Sequence, residues 1–278
     1  MAASIANIIF MPKEQVTFDL RRVRDLLGAQ AGRFDVDHVV RCDSTNTQLL
    51  TRAERGSGAG TVLVADEQTA GRGRRGRQWQ SANGSSLTFS VLWRFAREQR
   101  LEGLSLSVGI AIVRALRSMG VDELALKWPN DVWLKGRKLG GVLVEVVHGT
   151  HGDMATVIGI GLNLLRHADW DESLGSAYAA LAEAALENAS PFTREAVLAA
   201  ILRELLVVLD VFARNGFAAL TNDWMQYHAM LGSQVSIEQS GLVRHGRCGG
   251  IDTLGRLEVD TSEGLLRVFG GEVSLRTA

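Results

Sequence analysis

The stretch from residue 124 to residue 164, LALKWPNDVWLKGRKLGGVLVEVVHGTHGDMATVIGIGLNL, contains four apolar segments separated by short turn sequences. Segments rich in Val, Ile and Leu that end at Gly, Pro, Asn or Asp are typical of β-strands. Short turns between successive strands favour antiparallel pairing. The stretch therefore predicts four strands of one sheet, at about Leu124–Trp128, Val132–Leu134, Leu139–Val147 and Ala155–Leu164.

The residues on either side add helices and further strands. A helix predicted to open at Ser44 carries Thr45 and Gln48, which fit a capping box. Apolar residues at helical spacing predict a buried helix face at Leu104, Val108, Ile112, Ala115 and Leu116, closed by Gly120. We predict strands at Val36–Arg41, Thr61–Ala65 and Ser86–Trp93, and further helices at Val16–Leu27, Ser173–Leu186, Thr193–Arg214 and Phe217–Met230.

The residue pattern of the sequence changes after Leu231. Short apolar alternations separated by glycine turns, such as Val235–Ile237 and Leu257–Val259, are typical of a small all-β barrel. We therefore predict an α+β domain over residues 1–230 and a small β domain over residues 231–278.

Charge and hydropathy exclude several classes of protein. The formal net charge is −1 and the pI is about 6.6, which argues against a protein that coats nucleic acid by bulk charge. No apolar run approaches the roughly 20 residues of a membrane span. The two cysteines, Cys42 and Cys248, lack the spacing of a metal site. We expect a cytoplasmic protein with no membrane association.

Residues 71–77, GRGRRGR, carry four arginines and three glycines without an acidic residue. Glycine lets backbone N–H groups approach an anion closely, and arginine offers forked, permanently charged donors. The loop indicates a clamp for phosphate or carboxylate, and a solvated basic turn is the alternative.

Residues 127–131, KWPND, follow directly on a predicted strand. There Lys127 could meet phosphate, while Asp131 could hold Mg²⁺ with support from Asn130. An ordinary Pro-Asn-Asp turn is the alternative.

Three weaker motifs complete the set. Lys138 opens an apolar strand beside paired glycines, although a lysine in a hairpin turn would look the same. Hydroxyls at residues 44–45 could serve a polar ligand or cap a helix. Alternate glycines at 159 and 161 mark a close approach to the strand, either by a ligand or by plain packing.

In this order and with these gaps, the motifs resemble the catalytic module of the bacterial biotin protein ligases. The resemblance runs from about residue 36 to the end and includes Gln68–Ala70, Trp79, Glu145 and the final strand around residues 270–276. It implies a mixed or antiparallel central sheet flanked by helices, as in class II synthetases, and a C-terminal SH3-like β-barrel. It also implies an enzyme that makes biotinyl-5′-AMP from biotin and MgATP and transfers biotin to a lysine.

The resemblance further implies individual roles. Lys138 and Arg74 would be catalytic, and Asp131 would contact Mg²⁺. Trp79 would orient the loop or cover the ligand, and Tyr178 stands where relatives usually have a Trp on adenine. The implied biotin residues are Ser44, Thr45, Asn46, Gln68, Gly71, Arg72, Gly73, Lys138, Gly140, Gly159 and Gly161. The implied ATP residues are Arg74, Arg75, Trp79, Lys127, Asn130, Asp131, Asn163 and Tyr178.

Partners and rival functions follow from the same resemblance. The expected acceptor is the biotin carboxyl carrier protein of acetyl-CoA carboxylase, and a homodimer is one option. Many relatives carry an N-terminal winged helix-turn-helix, whereas residues 1–35 offer one convincing helix, so we expect no DNA binding. The alternatives are a lipoate or octanoate ligase of the same fold, a non-enzymatic RNA binder that uses the arginine loop, and a protein that only binds biotin.

Overall fold

The computed structural model describes residues 18–148, 153–170, 178–184, 192–239, 242–269 and 274–277. Its α-helices are α1 (Leu20–Leu27), α2 (Thr45–Glu54), α3 (Leu104–Ser118), α4 (Arg194–Asn215) and α5 (Thr221–Gln226). The strands of a first sheet are β1 (Asp35–Cys42), β2 (Thr61–Gln68), β3 (Ser86–Ala96), β4 (Leu124–Lys127), β5 (Asp131–Leu134), β6 (Arg137–His148) and β7 (Asp153–Asn163). The strands of a second sheet are β8 (Gln234–Gln239), β9 (Leu242–Ile251), β10 (Leu257–Thr261), β11 (Gly264–Val268) and β12 (Ser274–Thr277).

The first sheet has the order β1-β2-β3-β7-β6-β5-β4. The four strands predicted between residues 124 and 164 are present and pair antiparallel, as expected. β1 and β2 pair parallel, because α2 forms the crossover connection between them. The sheet is therefore mixed, in agreement with the fold class implied by the resemblance.

Both faces of this sheet are covered. Leu63, Leu92 and Val157 point to one face, where they pack with Leu49 and Ala53 of α2. Their neighbours along each strand, which include Val62, Val91 and Ile158, point to the other face and pack with α3 and α4. The alternation is the period of two that a pleated strand imposes. α2 covers only part of its face, and the rest of that face is where a ligand site can form.

The second sheet is antiparallel, with the order β11-β10-β9-β8-β12. In the described part of the chain the two outer strands, β11 and β12, do not pair with each other. A small antiparallel sheet thus follows the first one, as the fold class predicts; in the described residues its five strands form an open row, so the expected closure into a barrel is not seen there.

Two local predictions were wrong. Thr45 and Gln48 form no capping box: the Thr45 hydroxyl lies 3.1 Å from Gln68 Oε1, and Gln48 Nε2 donates to Asp43 Oδ1 at 2.8 Å. In the predicted helix 173–186, the described residues form a β-bridge at Tyr178 and a 3-10 helix at Leu181–Ala184, while residues 171–177 and 185–191 lie outside the described part.

Other predicted boundaries moved. The last predicted helix begins as a 3-10 turn at Phe217–Leu220 and ends at Gln226. The first predicted helix is seen from Leu20, where Asp19 accepts hydrogen bonds from the N–H groups of Arg21 and Arg22; residues 1–17 lie outside the description. None of the helices that the structure describes is long and apolar enough to span a membrane.

Candidate active site

A cavity of about 260 Å³ lies on the α2 face of the first sheet, next to the N-terminal end of α2. Most of the residues singled out in the sequence meet there. The predicted residues in its lining are Ser44, Thr45, Asn46, Gln68, Arg72, Gly73, Arg74, Arg75, Trp79, Lys127, Asn130, Asp131, Lys138, Gly159 and Gly161.

Two glycines of β7 form the floor of the cavity. A Cβ on Gly159 would lie 2.2 Å from Asn46 Oδ1, and one on Gly161 would lie 2.4 Å from Trp79 Cε2. Real Cβ atoms do not approach other atoms so closely, so glycine is what lets α2 and the Trp79 indole lie against the sheet. The buried Trp79 indole N–H has no acceptor within the described residues. A buried donor without a partner is costly, and an acceptor on a ligand would satisfy it.

Buried hydroxyl and amide groups line one end of the cavity. The Thr45 backbone N–H donates to Gln68 Oε1 at 2.7 Å. Ser90 of β3, fully buried, lies 2.7 Å from Thr45 Oγ1 and 2.5 Å from Asn46 Oδ1 through its own Oγ. These groups are fixed before any ligand arrives, which suits them to a small ligand with both donors and acceptors.

The arginine loop folds back over the cavity. The N–H of Gly73 donates to the Arg77 carbonyl at 2.8 Å, and the N–H of Trp79 donates to the Gly71 carbonyl at 2.9 Å. Arg75 sits in the left-handed region at φ 60°.

Two arginines of the loop contact different parts of the sheet region. Arg72 Nη2 lies 2.7 Å from Glu145 Oε1, and Arg74 Nη1 donates to Asn130 Oδ1 at 3.1 Å. Burial lowers the pKa of the Arg74 guanidinium, and the neighbouring Arg75 adds to the effect. A partly desolvated cation of this kind gains energy when an anion binds beside it.

The other end of the cavity concentrates charge. Lys138 Nζ lies 2.8 Å from Asp131 Oδ1, across the β5–β6 pair. Lys127 Nζ lies 4.6 Å from the centroid of the Trp133 ring. Burial lowers the pKa of Lys127, the charge of Asp131 opposes this and the charge of Lys138 adds to it. Asn130 is held by a 2.8 Å hydrogen bond from its Nδ2 to the Val142 carbonyl. Two lysines and an arginine therefore converge around one carboxylate.

The protein side chains at this end could bind a hard divalent cation only if a bound phosphate supplied the other oxygen ligands. Among the described residues no group of three or more His, Cys, Asp or Glu side chains could hold a metal by itself. Asp131 is a single carboxylate at the cavity wall. Mg²⁺ is commonly held by one or two carboxylates together with substrate phosphates, so the residues present fit that arrangement.

Four predicted residues do not line the cavity. A Cβ added to Gly140 would lie 2.4 Å from the Gly161 carbonyl oxygen, so this glycine packs against the neighbouring strand. Asn163 Nδ2 donates to the Ala179 carbonyl at 3.1 Å, which is a structural contact. Gly71 lies against the Trp79 carbonyl, where a Cβ would come within 2.3 Å.

Tyr178 is the fourth. Its ring is buried, with Arg166 Cζ 4.6 Å and the Trp170 ring centroid 6.1 Å from its own centroid, and its hydroxyl accepts a 3.2 Å hydrogen bond from the His167 backbone N–H. Tyr178 thus lies outside the lining of this cavity, and its contact with adenine stays a prediction.

Sequence reasoning missed part of the lining. The strand period could have found some of it: Gly141 pairs with Gly161 and Leu143 with Gly159, so their side chains share the cavity face. The residues of the lining that carried no predicted role are Arg77, Gln78, Thr88, Phe89, Trp128, Pro129, Gly141, Val142, Leu143 and Ile160.

Comparisons with known proteins point one way. Residues 39–163 match the model of the Biotin/lipoate A/B protein ligase family, and residues 230–276 match the Biotin protein ligase C terminal domain. The Bifunctional ligase/repressor BirA of Escherichia coli is 36% identical over 239 residues, which cover 85% of this chain and 72% of that protein. The Biotin--[acetyl-CoA-carboxylase] ligase of Mycobacterium tuberculosis is 34% identical, with 92% of this chain and 94% of that protein covered.

A solved structure agrees with them. The biotin protein ligase of Aquifex aeolicus in complex with biotin and ATP superposes with a TM-score of 0.76 at 30% identity, covering 88% of this chain and 99% of that one.

Proposed function

This chain belongs to the Biotin/lipoate A/B protein ligase family, and on that premise we propose that it is a biotin protein ligase whose cavity forms biotinyl-5′-AMP from biotin and ATP. The observation that carries the proposal is the layout of the cavity. Hydroxyl and amide groups lie at one end, and Lys127, Lys138 and Arg74 converge at the other. The two ends match the ureido ring of biotin and the phosphates of ATP.

Biotin would bind with its ureido ring at the hydroxyl end. The ring has two N–H donors and one carbonyl acceptor, which suit the side chains of Ser44, Thr45 and Gln68. The apolar part of biotin would lie beside the Trp79 indole, which itself packs on Gly161. The backbone of residues 71–73 would meet the valerate carboxylate.

Activation would take place at the cationic end. A carboxylate oxygen of biotin attacks the α-phosphorus of ATP, and pyrophosphate leaves with the electron pair of the cleaved P–O bond. Negative charge that develops on the phosphate needs fixed positive donors, and Lys138 and Arg74 supply them. Lys127 and Asn130 would hold the triphosphate. Asp131 would hold Mg²⁺, which when bound neutralises phosphate charge.

Transfer would follow in the same cavity. The neutral amine of an acceptor lysine attacks the acyl carbon of the anhydride, an amide bond forms, and AMP leaves. Until then the arginine loop would exclude water from the anhydride. We take the acceptor to be a biotin carboxyl carrier protein, in keeping with the names of the relatives from Mycobacterium tuberculosis and Paracoccus denitrificans.

Three further expectations from the sequence stay predictions. A cytoplasmic location is consistent with two free cysteines, Cys42 and Cys248. A homodimer and the lack of DNA binding are untested. The DNA-binding expectation concerns the residues before β1, where the described part of the chain forms α1 and then a 3-10 helix at Gly28–Arg33.

The decisive experiment is pyrophosphate release from MgATP without an acceptor. We expect biotin to trigger release of about one equivalent per enzyme, because the adenylate stays bound, and we expect Lys138→Ala to abolish it. Release with lipoate or octanoate instead of biotin would assign the chain to the alternative ligases. No release with any of the three acids would leave a protein that only binds biotin.

A further inference from the structure

Glu145 is part of the sequence motif, yet the reaction as described gives it no role. It lies on β6, and its register partner in β7 is Val157, which points to the α2 face. Glu145 is therefore on the same face as the cavity without lining it. We propose that Glu145 is a positioning residue that couples the arginine loop to the biotin subsite; this rests on the proposed function.

Each oxygen of the Glu145 carboxylate serves a different element. Oε1 lies 2.7 Å from Arg72 Nη2 in the arginine loop, and Oε2 accepts a 2.9 Å hydrogen bond from Asn46 Nδ2 in the first turn of α2. The Glu145 side chain is 21% exposed and that of Arg72 is 45% exposed. A charge-assisted hydrogen bond at this depth is stronger than one between neutral groups.

The carboxylate also sets the direction of the hydrogen bonds that continue from Asn46. An ionised carboxylate only accepts, and so does the Leu143 carbonyl 3.4 Å from Asn46 Nδ2, so the Asn46 amide nitrogen faces both and its Oδ1 faces Ser90. Ser90 has a single hydroxyl proton, which goes to Asn46 Oδ1 at 2.5 Å. Ser90 Oγ also lies 2.7 Å from Thr45 Oγ1, so the polar contacts continue from Asn46 through Ser90 to Thr45.

This directionality reaches the ligand. The Thr45 hydroxyl also lies 3.1 Å from Gln68 Oε1, so Thr45 connects Ser90 to Gln68. Gln68 Oε1 is occupied by Thr45, whose backbone N–H donates to it at 2.7 Å, so the amide N–H₂ of Gln68 is the group left for the ligand. The subsite thus offers a donor in a fixed place, which suits the carbonyl oxygen of a ureido ring. Glu145 therefore contacts Asn46, where these hydrogen bonds begin, with one oxygen and Arg72 of the arginine loop with the other.

Coupling of this kind predicts that the loop and the subsite loosen together. Glu145→Gln keeps the size of the side chain and removes the charge. We expect it to speed the release of biotinyl-AMP about tenfold, as loss of one charge-assisted contact would do. We expect biotin itself to bind more weakly by a smaller factor, since Asn46 then loses its charged acceptor and keeps the longer hydrogen bond to the Leu143 carbonyl.

The test uses synthetic biotinyl-AMP, so it does not require the enzyme to make the adenylate. Labelled biotinyl-AMP is bound to the purified protein and chased with unlabelled compound, and biotin affinity is measured by calorimetry. Glu258→Gln is the matched control, because Glu258 and Arg267 lie 2.9 Å apart with side chains 25% and 50% exposed, on the C-terminal sheet. Release from the control should equal that from the wild type.

A double-mutant cycle separates positioning from mere loss of stability. Arg72→Met should speed release as Glu145→Gln does, and the double variant should add little, while Arg72→Lys should retain part of the effect of the charge. Release from Glu145→Gln that matches the Glu258→Gln control, or effects that multiply in the double variant, would overturn the coupling. A wild-type protein that fails to bind biotinyl-AMP would instead overturn the proposed function.

Discussion

The indole N–H of Trp128 donates a 2.9 Å hydrogen bond to the carbonyl oxygen of Gly255. Trp128 belongs to the turn 127–131 that lines the cavity, and Gly255 lies between β9 and β10 of the C-terminal sheet. The Trp128 side chain is 2% exposed, so the bond is shielded from water. The C-terminal sheet region is therefore bonded directly to one wall of the cavity.

Trp128→Phe should weaken this link and raise the KM for ATP. The substitution keeps an aromatic ring but leaves the Gly255 carbonyl without its donor, which costs about 1 kcal/mol or more of the free energy of unfolding. Urea unfolding and initial rates of pyrophosphate release at varied MgATP check both effects. Trp133→Phe is the control for the unfolding measurement alone, because the buried N–H of Trp133 has no acceptor among the described residues while its ring contacts Lys127. Equal destabilisation by the two variants would contradict the prediction.

Gly161→Ala should weaken biotin binding far more than Gly141→Ala. The two glycines are register partners on adjacent strands, yet the added Cβ would lie 2.4 Å from Trp79 Cε2 at position 161 and no closer than 3.5 Å to its nearest neighbour, Asp131 Oδ1, at position 141. Overpacking at position 161 must displace the indole, so we expect a loss of about tenfold or more in biotin affinity. Calorimetric titration with biotin checks this, and similar affinities for the two variants would contradict it.

Much of the site was readable from the sequence because its motifs are local. Glycines and arginines at 71–77 predict an anion clamp from their own chemistry, and the strand period places Gly159 and Gly161 on one face. Contacts between distant segments could not be read. The partner of Lys138 is Asp131 because a bulge between Val132 and Trp133 shifts the register of β5 against β6. No spacing rule gives the position of such a bulge.

The errors have the same physical origin. Thr45 and Gln48 have the residue types of a capping box, but Gln68 and Asp43 compete for their side chains. Tyr178 lies in a segment of helical composition, yet it forms a bridge with Lys138, because tertiary pairing overrides a weak propensity. Local preference decided neither case.

Acid should destabilise the protein through His228. Burial lowers the pKa of His228 from 6.5 to about 4. The unfolded chain takes up the proton more readily, so stability is retained above about pH 6.5 and falls as the pH drops toward 4, by at most about 1.4 kcal/mol per pH unit from this group. The Nδ1 atom accepts from the Met230 N–H at 3.2 Å, and Asn can replace that acceptor.

The comparison of wild type with His228→Asn isolates this contribution. Urea unfolding between pH 7 and about pH 4.5 should show a shrinking difference in stability between the two proteins, because only the wild type gains a proton at this position on unfolding. Parallel curves across that range would assign the acid sensitivity to other groups.

Lys127 should make ATP binding weaken as the pH rises in the alkaline range. Burial, with a smaller contribution from Lys138, holds the pKa of the Lys127 ammonium below its usual value, whereas a bound triphosphate would favour the charged form and raise that pKa. ATP binding must then be accompanied by proton uptake at pH values between the pKa of the free protein and that of the complex. Calorimetry of MgATP binding in two buffers of different ionisation enthalpy measures this uptake directly. Lys127→Arg is the control, since arginine stays protonated throughout. Its binding should lose the uptake and keep its affinity at high pH, and an uptake that persists unchanged in the variant would place the titrating group elsewhere in the cavity.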